Sequence, residues 1–340
     1  MDKIRVLIVD DSLLFRETLS KGLRQFDHIE IVGVAGDPFE AKDKILELKP
    51  DVVTLDVEMP RMDGIKFLKK LLPSYPIPVI VISSLKESVF EAMNAGAVDF
   101  VGKPQIGEDP AEFIREIALK VKGTSKVKVA FRKTPTNIDL SSEGVRGHVN
   151  PKSLIAIGAS TGGTEAIYSI LTKFSVNMPG IVIVQHMPPG FTKLYADRLN
   201  NSCELSVKEA EDGDKIAPGH VLIAPGDFNM TVQNNQGYYS VKCKQTEKVN
   251  GHRPSVDVLF NSVADTIGSN SMGIILTGMG SDGAKGLLKM REVGAYTIGQ
   301  DEKSSVVYGM PMAAYNIGAV MQQSPLFRIP DDIIRKFSSF

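Results

Sequence analysis

Cysteine, net charge and long apolar runs are all scarce in this 340-residue chain, and each shortage removes a class of protein. Two cysteines, Cys203 and Cys243, supply neither a disulfide framework nor metal-ligand spacing. That suits a reducing compartment, with room for at most a single bridge. A formal net charge of -1 offers no whole-chain attraction for nucleic acid. No apolar stretch approaches the roughly 18 residues that a membrane span needs. Asp10 and Asp11 break the only apolar run near the amino terminus, so no secretory pattern is expected. What is present is 43% apolar residues with mixed charge, enough for ordinary cores, and a length that suggests two domains. The expectation is a soluble cytoplasmic protein without membrane insertion.

The first 122 residues alternate short apolar runs with amphipathic stretches. Strands are expected at 4–9, 29–35, 51–55, 79–82 and 98–101, with helices following each. Five strands alternating with five helices read as an α/β fold with a doubly wound parallel sheet, whose sites lie beyond the carboxyl ends of its strands. Asp10, Asp11, Asp56, Ser83 and Lys103 all fall at those ends. Three converging carboxylates repel one another unless a divalent cation joins them, and oxygen ligands of this kind suit Mg2+. A lysine opposite them would neutralise an incoming phosphoryl group. Taken singly, each aspartate could instead be a helix N-cap.

This ordered set resembles a response-regulator receiver domain over residues 1–122, with the flavodoxin-like five-stranded parallel sheet. The resemblance implies that Asp56 is the phosphoacceptor, that Asp10, Asp11 and Asp56 hold Mg2+, and that Ser83 engages the phosphoryl oxygens. It makes Lys103 the charge partner and Phe100 the switch aromatic. It also implies a cis-type Lys103-Pro104 step and a loop with Met59-Pro60 before Gly64. Residues 123–151, basic at Lys126, Lys128, Arg132 and Lys133, read as an irregular linker.

Beyond the linker the apolar run Leu154-Ile155-Ala156-Ile157 stops at Gly158-Ala159-Ser160-Thr161-Gly162-Gly163, and helical spacing follows at Ile167, Ile170 and Leu171. The letters fit a nucleophile elbow that presents one serine, and they equally fit a dinucleotide loop with its middle glycine replaced. A dinucleotide loop predicts an acid at the end of the next strand to hold a ribose. That strand, 181–184, ends instead on Gln185-His186. Strands expected at 205–210, 220–224, 229–233 and 238–242 suggest a β-rich insertion. A further strand at 273–276 ends on Thr277-Gly278-Met279-Gly280-Ser281-Asp282-Gly283. Asp282 is either the acid of a triad or the cap of the helix at 284–293. Asp257, inside a helix, is the competing acid. Ser160, His186 and Asp282 thus stand at three strand ends, in a chain order that differs from the α/β-hydrolases.

These segments, with Gly251-His252-Arg253-Pro254-Ser255-Val256-Asp257 and Gly309-Met310-Pro311, closely resemble the catalytic domain of the protein-glutamate methylesterases of bacterial chemotaxis, here expected over 152–340. The resemblance implies a cytoplasmic serine hydrolase. It would hydrolyse glutamate methyl esters on chemoreceptor helices and deamidate glutamines there, with a histidine kinase as phosphodonor and no cofactor for the esterase step. The expected roles are Ser160 as nucleophile, His186 as base and Asp282 as the acid that orients it. Backbone N–H groups of Thr161 and Met279 are the expected oxyanion hole. The alternatives are a DNA-binding response regulator and a catalytically silent receptor-docking adaptor.

Overall fold

The computed structural model describes residues 3–59, 63–104, 107, 109–125, 127, 150 and 152–338. The chain divides into two compact units, residues 1–137 and 138–340. The basic residues of the connector and Pro60 lie outside the described residues.

In the first unit the order is β1 (Ile4–Val9), α1 (Leu13–Leu23), β2 (Ile29–Ala35), α2 (Pro38–Leu48), β3 (Val52–Asp56), α3 (Gly64–Leu71), β4 (Val79–Ser83), α4 (Lys86–Asn94), β5 (Asp99–Gly102) and α5 (Pro110–Thr124). The five strands pair in the order β2-β1-β3-β4-β5, all parallel. Helices cover both faces, so the strands are buried on both sides and read as unbroken apolar runs. Val6 and Ile8 of β1 pack with Leu19 and Leu23 of α1 and Ile117 and Val121 of α5. Helix starts are set by other residues than the strand-end acids: Ser12, Asp37, Asp63 and Asp109 accept the first-turn N–H groups of α1, α2, α3 and α5. Asp10 and Asp56 are thereby left for a different task.

The second unit runs β6 (Leu154–Ala159), α6 (Gly163–Leu171), β7 (Gly180–Gln185), α7 (Phe191–Asn200), β8 (Ser206–Glu209), β9 (His220–Ile223), β10 (Asn229–Asn235), β11 (Tyr238–Lys244) and α8 (Val256–Thr266). It continues β12 (Ser271–Ile275), α9 (Ala284–Glu292), β13 (Tyr296–Gln300), α10 (Met310–Asn316), β14 (Gln322–Ser324) and α11 (Ile329–Ser338). Seven parallel strands form one sheet, β14-β13-β12-β6-β7-β9-β8. The chain builds outward from β6 through β7 on one side, then returns to β12 on the other. The order reverses at β6, and the carboxyl ends of strands at such a reversal are where ligands of doubly wound folds bind.

The four strands expected in an insertion separate into two pairs. Val221, Leu222 and Ile223 of β9 are buried, and Val221 pairs with Ile181 of β7, so β9 and β8 extend the main sheet. Only β10 and β11 stand apart, as an antiparallel hairpin turned at Gln236 and Gly237, both with positive φ. The Lys103-Pro104 step is also corrected. Among the described residues the cis peptide bond is Arg253-Pro254, and Lys103-Pro104 has the trans form that X–Pro bonds ordinarily favour by about 0.5–1 kcal/mol.

Candidate active site

Neighbouring strands β1, β3, β4 and β5 bring the sequence-predicted receiver residues to one rim. Oxygens of Asp10, Asp11 and Asp56 lie within 4.8 Å of one another. Lys103 Nζ reaches Asp56 Oδ2 at 2.6 Å and Asp10 Oδ2 at 2.9 Å, and sits 4.6 Å from the centre of the Phe15 ring. Burial pushes the Asp56 carboxyl up to about 6, although Lys103 and the Glu58 N–H, 2.9 Å away, oppose the rise. The three carboxylates fit a hard divalent cation with oxygen ligands: the set is acidic, closely spaced and open to water through the exposed Asp11. Ser83 is fully buried and its hydroxyl is engaged with the backbone of Leu85, accepting from the N–H at 3.0 Å. Phe100 is buried, with its ring 6.3 Å from that of Phe90 and inclined to it by 61°.

In the second unit the register Ala159↔Gln185 across β6 and β7 places Ser160 and His186 side by side, one residue past the last paired positions. The His186 N–H donates to Ala159 O at 3.1 Å, and the Ser160 N–H donates to Thr277 O at the end of β12 at 3.0 Å. Three adjacent strands are thus tied together where they end. Gly158 makes this possible, because a Cβ there would lie 2.1 Å from Val256 Cγ1 and push away the start of α8. Ser160 is not among the residues with positive φ; the left-handed turn falls at Gly162, φ +77°, so the loop is not a strained elbow.

His186 Nε2 bonds Asp282 Oδ2 at 2.9 Å. The other ring nitrogen, Nδ1, is buried and has no hydrogen-bond partner. Ser160 therefore stands beside the imidazole without hydrogen-bonding to it. Bonds between a nucleophile and its base are often long or poorly aligned before substrate binds. Gln185, buried beneath, donates from Nε2 to Ser160 O at 2.9 Å and fixes the backbone from which the hydroxyl projects. Thr277 Oγ1 donates to Thr161 O at 3.0 Å and steadies the next peptide. The N–H of Met279, half-buried in the β12 loop, has no backbone partner among the described residues.

The acid is held more firmly than sequence reasoning foresees. Asp282 does not cap α9; Gly283 takes that position. Its carboxylate sits instead at the amino terminus of α8. Oδ2 accepts from the Val256 N–H at 2.6 Å, and Oδ1 accepts from Ser255 Oγ at 2.8 Å, Asn250 Nδ2 at 2.7 Å and the Asp257 N–H at 3.3 Å. Burial alone would raise this carboxyl, but hydrogen bonds from His186, Asn250 and Ser255 outweigh it and hold the group well below the usual carboxylate range. The competing acid, Asp257, has a structural task. Its Oδ1 accepts the Gly286 N–H in the first turn of α9 at 2.7 Å, and Asn250 Nδ2 donates to its Oδ2 at 2.8 Å. The two helices exchange acids: Asp257 of α8 serves the start of α9, and Asp282, just before α9, serves the start of α8. Burial raises the Asp257 carboxyl, and the nearby Asp282 charge adds to the rise.

Asn250, Ser255 and Gln185 are the supporting residues that periodicity does not single out. While Gln185 and Ser255 stand only within the segments that carry the family resemblance, the local signal is the Asn250-Gly251 dipeptide, a strong turn former. Its local geometry is a two-residue turn, with φ +53° and +83°, between Val249 and His252.

The CheB methylesterase family matches residues 155–333, and the response regulator receiver domain family matches residues 6–116. A protein-glutamate methylesterase/protein-glutamine glutaminase of Syntrophomonas wolfei is 55% identical over 328 residues, 95% of each chain. One of Escherichia coli K12 is 47% identical, covering 100% of this chain and 98% of the relative. Among solved structures, the Thermotoga maritima CheB methylesterase catalytic domain is 40% identical with a TM-score of 0.53, covering 54% of this chain and 98% of that one. With a receiver domain followed by a seven-stranded sheet that gathers a serine, a histidine and an aspartate at its switch point, this chain belongs to the CheB methylesterase family.

Proposed function

We propose that this protein hydrolyses glutamate methyl esters on chemoreceptor signalling helices, releasing methanol, and deamidates glutamines at the same site under control of receiver phosphorylation. The observation that carries the reading is the His186–Asp282 bond beside Ser160, at the ends of three adjacent parallel strands. Ser160 Oγ attacks the ester carbonyl and His186 takes its proton at Nδ1, the nitrogen left free by the bond from Nε2 to Asp282. Asp282 keeps the proton on Nε2 and stabilises the imidazolium that forms. Methanol leaves with the proton from His186. Water, activated by the same nitrogen, then cleaves the glutamyl-enzyme. A glutamine amide presents the same carbonyl with ammonia as the leaving group, so one site serves both reactions. Backbone N–H groups of Thr161 and Met279 are the proposed oxyanion donors, each worth about 10²–10³ in rate where one such donor has been removed elsewhere.

In the receiver, an Asp56 oxygen attacks the phosphorus of a histidine-kinase phosphodonor, and Lys103 balances the charge that arrives. Asp10, Asp11 and Asp56 would hold Mg2+, which supplies charge neutralisation for the transfer. Ser83 would release Leu85 to engage the new phosphoryl oxygens, with Phe100 following. The new charge of about -1.5 to -2 biases the receiver surface and so controls the esterase. The partners are thus a phosphodonor kinase and methylated chemoreceptors, and the setting is the cytoplasm. Among the described residues no helix is long and apolar enough to cross a membrane.

The test is methanol release from methylated receptors by the full chain, with and without a phosphodonor. The parent should be stimulated by the donor, and Ser160→Ala should lose nearly all activity, by analogy with losses of about 10⁶ at other triad serines. Methanol release by Ser160→Ala at near the parent rate would overturn the assignment. A fragment beginning near residue 148 should outpace the unphosphorylated full chain; equal or lower activity would count against inhibition by the unphosphorylated receiver. The relatives lend no support to a DNA-binding or catalytically silent reading.

A further inference from the structure

One face of the His186 imidazole is covered by a second imidazole. The rings of His186 and His252 stack with centroids 3.8 Å apart and planes 10° from parallel. The mechanism above gives His252 no task. We infer that His252 is a positioning residue for the base: its ring sets the plane of His186 and so aims Nδ1 at the Ser160 hydroxyl. The inference rests on the reading of His186 as the base.

The argument begins with what Asp282 leaves undetermined. The bond from Nε2 to Asp282 fixes one end of the ring, and the Cβ–Cγ bond fixes the other. Rotation about the line joining these two points remains. The χ2 well of histidine is broad, so it does little to prevent that rotation. Nδ1 lies off the line and swings with the ring, whereas Nε2 stays on the acid. A flat group in contact with one face prevents the swing toward that side, which no hydrogen bond at Nε2 can do. The stack therefore controls the atom that must meet the serine.

His252 is itself built in from both sides. Val249 and His252 exchange backbone hydrogen bonds, N–H to O, at 3.0 and 2.9 Å across the Asn250-Gly251 turn. On the other side Arg253 is clamped, with Nε and one terminal nitrogen on Asp227 Oδ1 and the other terminal nitrogen donating to Thr246 O. The same turn carries Asn250, which bonds Asp282. One tight turn thus presents a ring to the base and an amide to the acid, so that the two members of the pair are registered to a common support. A residue that merely filled space would not need a flat face held 10° from parallel.

The test uses the full chain, phosphodonor and methylated receptor, reading kcat and KM for methanol release. A fluorophosphonate probe that labels an activated serine gives a second readout without receptor docking. His252→Ala should lower kcat and the labelling rate of Ser160 by about 10–100-fold with KM within twofold, because small misplacements of reacting groups cost on this order. His252→Phe, which restores a flat ring without ring nitrogens, should recover both rates to within about threefold of the parent. If the alanine variant does not fold, His252→Leu, which fills volume without a flat face, replaces it with the same expected loss. Unchanged kcat in His252→Ala or His252→Leu overturns the inference. So does an equal loss in the phenylalanine variant, or a rise in KM alone, which would mark a substrate contact instead. His186→Ala run alongside separates the two readings. If it stays active the base assignment fails; if it is dead while His252→Ala is unimpaired, only the positioning role fails.

Discussion

Replacing Asp282 by asparagine should damage the fold as well as the chemistry, and the size of the structural loss can be worked out from its contacts. Five donors converge on the carboxylate, two at Oδ2 and three at Oδ1. An asparagine must turn its NH2 to one side or the other. Toward Oδ2 it meets the Val256 N–H and His186 Nε2. The imidazole can accept there only by moving its proton to Nδ1, which removes the unprotonated nitrogen proposed as the base, and the Val256 N–H is orphaned regardless. Toward Oδ1 it meets the Asp257 N–H and the Asn250 amide, and turning Asn250 would set its carbonyl against the Asp257 carboxylate. One orphaned buried N–H costs about 1–3 kcal/mol. Removing a negative charge from a helix amino terminus adds about 0.3–1 kcal/mol. A loss of about 1–4 kcal/mol is expected. The chain has no tryptophan, so unfolding in urea is best followed by far-UV circular dichroism, with hydrogen exchange of the α8 amides as a local readout. Ser160→Ala, which removes no bond to Asp282, should stay within about 0.5 kcal/mol of the parent. The advantage of the parent should also depend on pH. A carboxyl depressed in the folded state stabilises above its unfolded pKa, about 3.9, and that contribution fades as the pH falls through the folded value. An Asp282→Asn protein with the parent's urea midpoint and parent-like exchange in α8 would refute the reasoning.

Asp56 carries the opposite sign. Its folded pKa of about 6 stands above the ordinary value of 3.8, so the folded receiver holds the extra proton and stability falls as pH rises between the two. Asp56→Asn should therefore raise receiver stability at pH 7 by an amount on the order of 2–3 kcal/mol, measurable as a higher melting temperature; a lower one would contradict the assignment. Gly158→Ala should destabilise the second unit by about 1–3 kcal/mol through its clash with Val256, and wild-type stability would show that α8 can shift.

How far the sequence discloses this protein depends on the kind of signal. Parallel strands covered on both faces are apolar runs with abrupt ends, so β1, β3, β4, β6, β7 and β12 are legible, and with them the residues that follow. Such ends carry Asp10, Asp56, Ser160 and His186, and the loop after β12 carries Asp282. What a side chain bonds is less legible. Asp282 looks equally like a cap for α9, and only the tertiary approach of α8 shows where its oxygens go. Asn250 and His252 lie in a surface-like turn with no periodicity, and their value arises from residues 7 to 66 positions away. The short strands β8 and β9 resemble a hairpin insertion because strand length says nothing of direction; the burial of Val221, Leu222 and Ile223 decides it. The segment from β13 to α11 alternates too briefly for helix or strand spacing to accumulate.

The exchange of acids between α8 and α9 makes one carboxylate answer to two masters. A copy whose Asp282 is replaced is expected to lose local structure as well as the His186 bond. It loosens the very segment that carries Ser255, Val256 and Asp257, and so becomes prey to proteolysis.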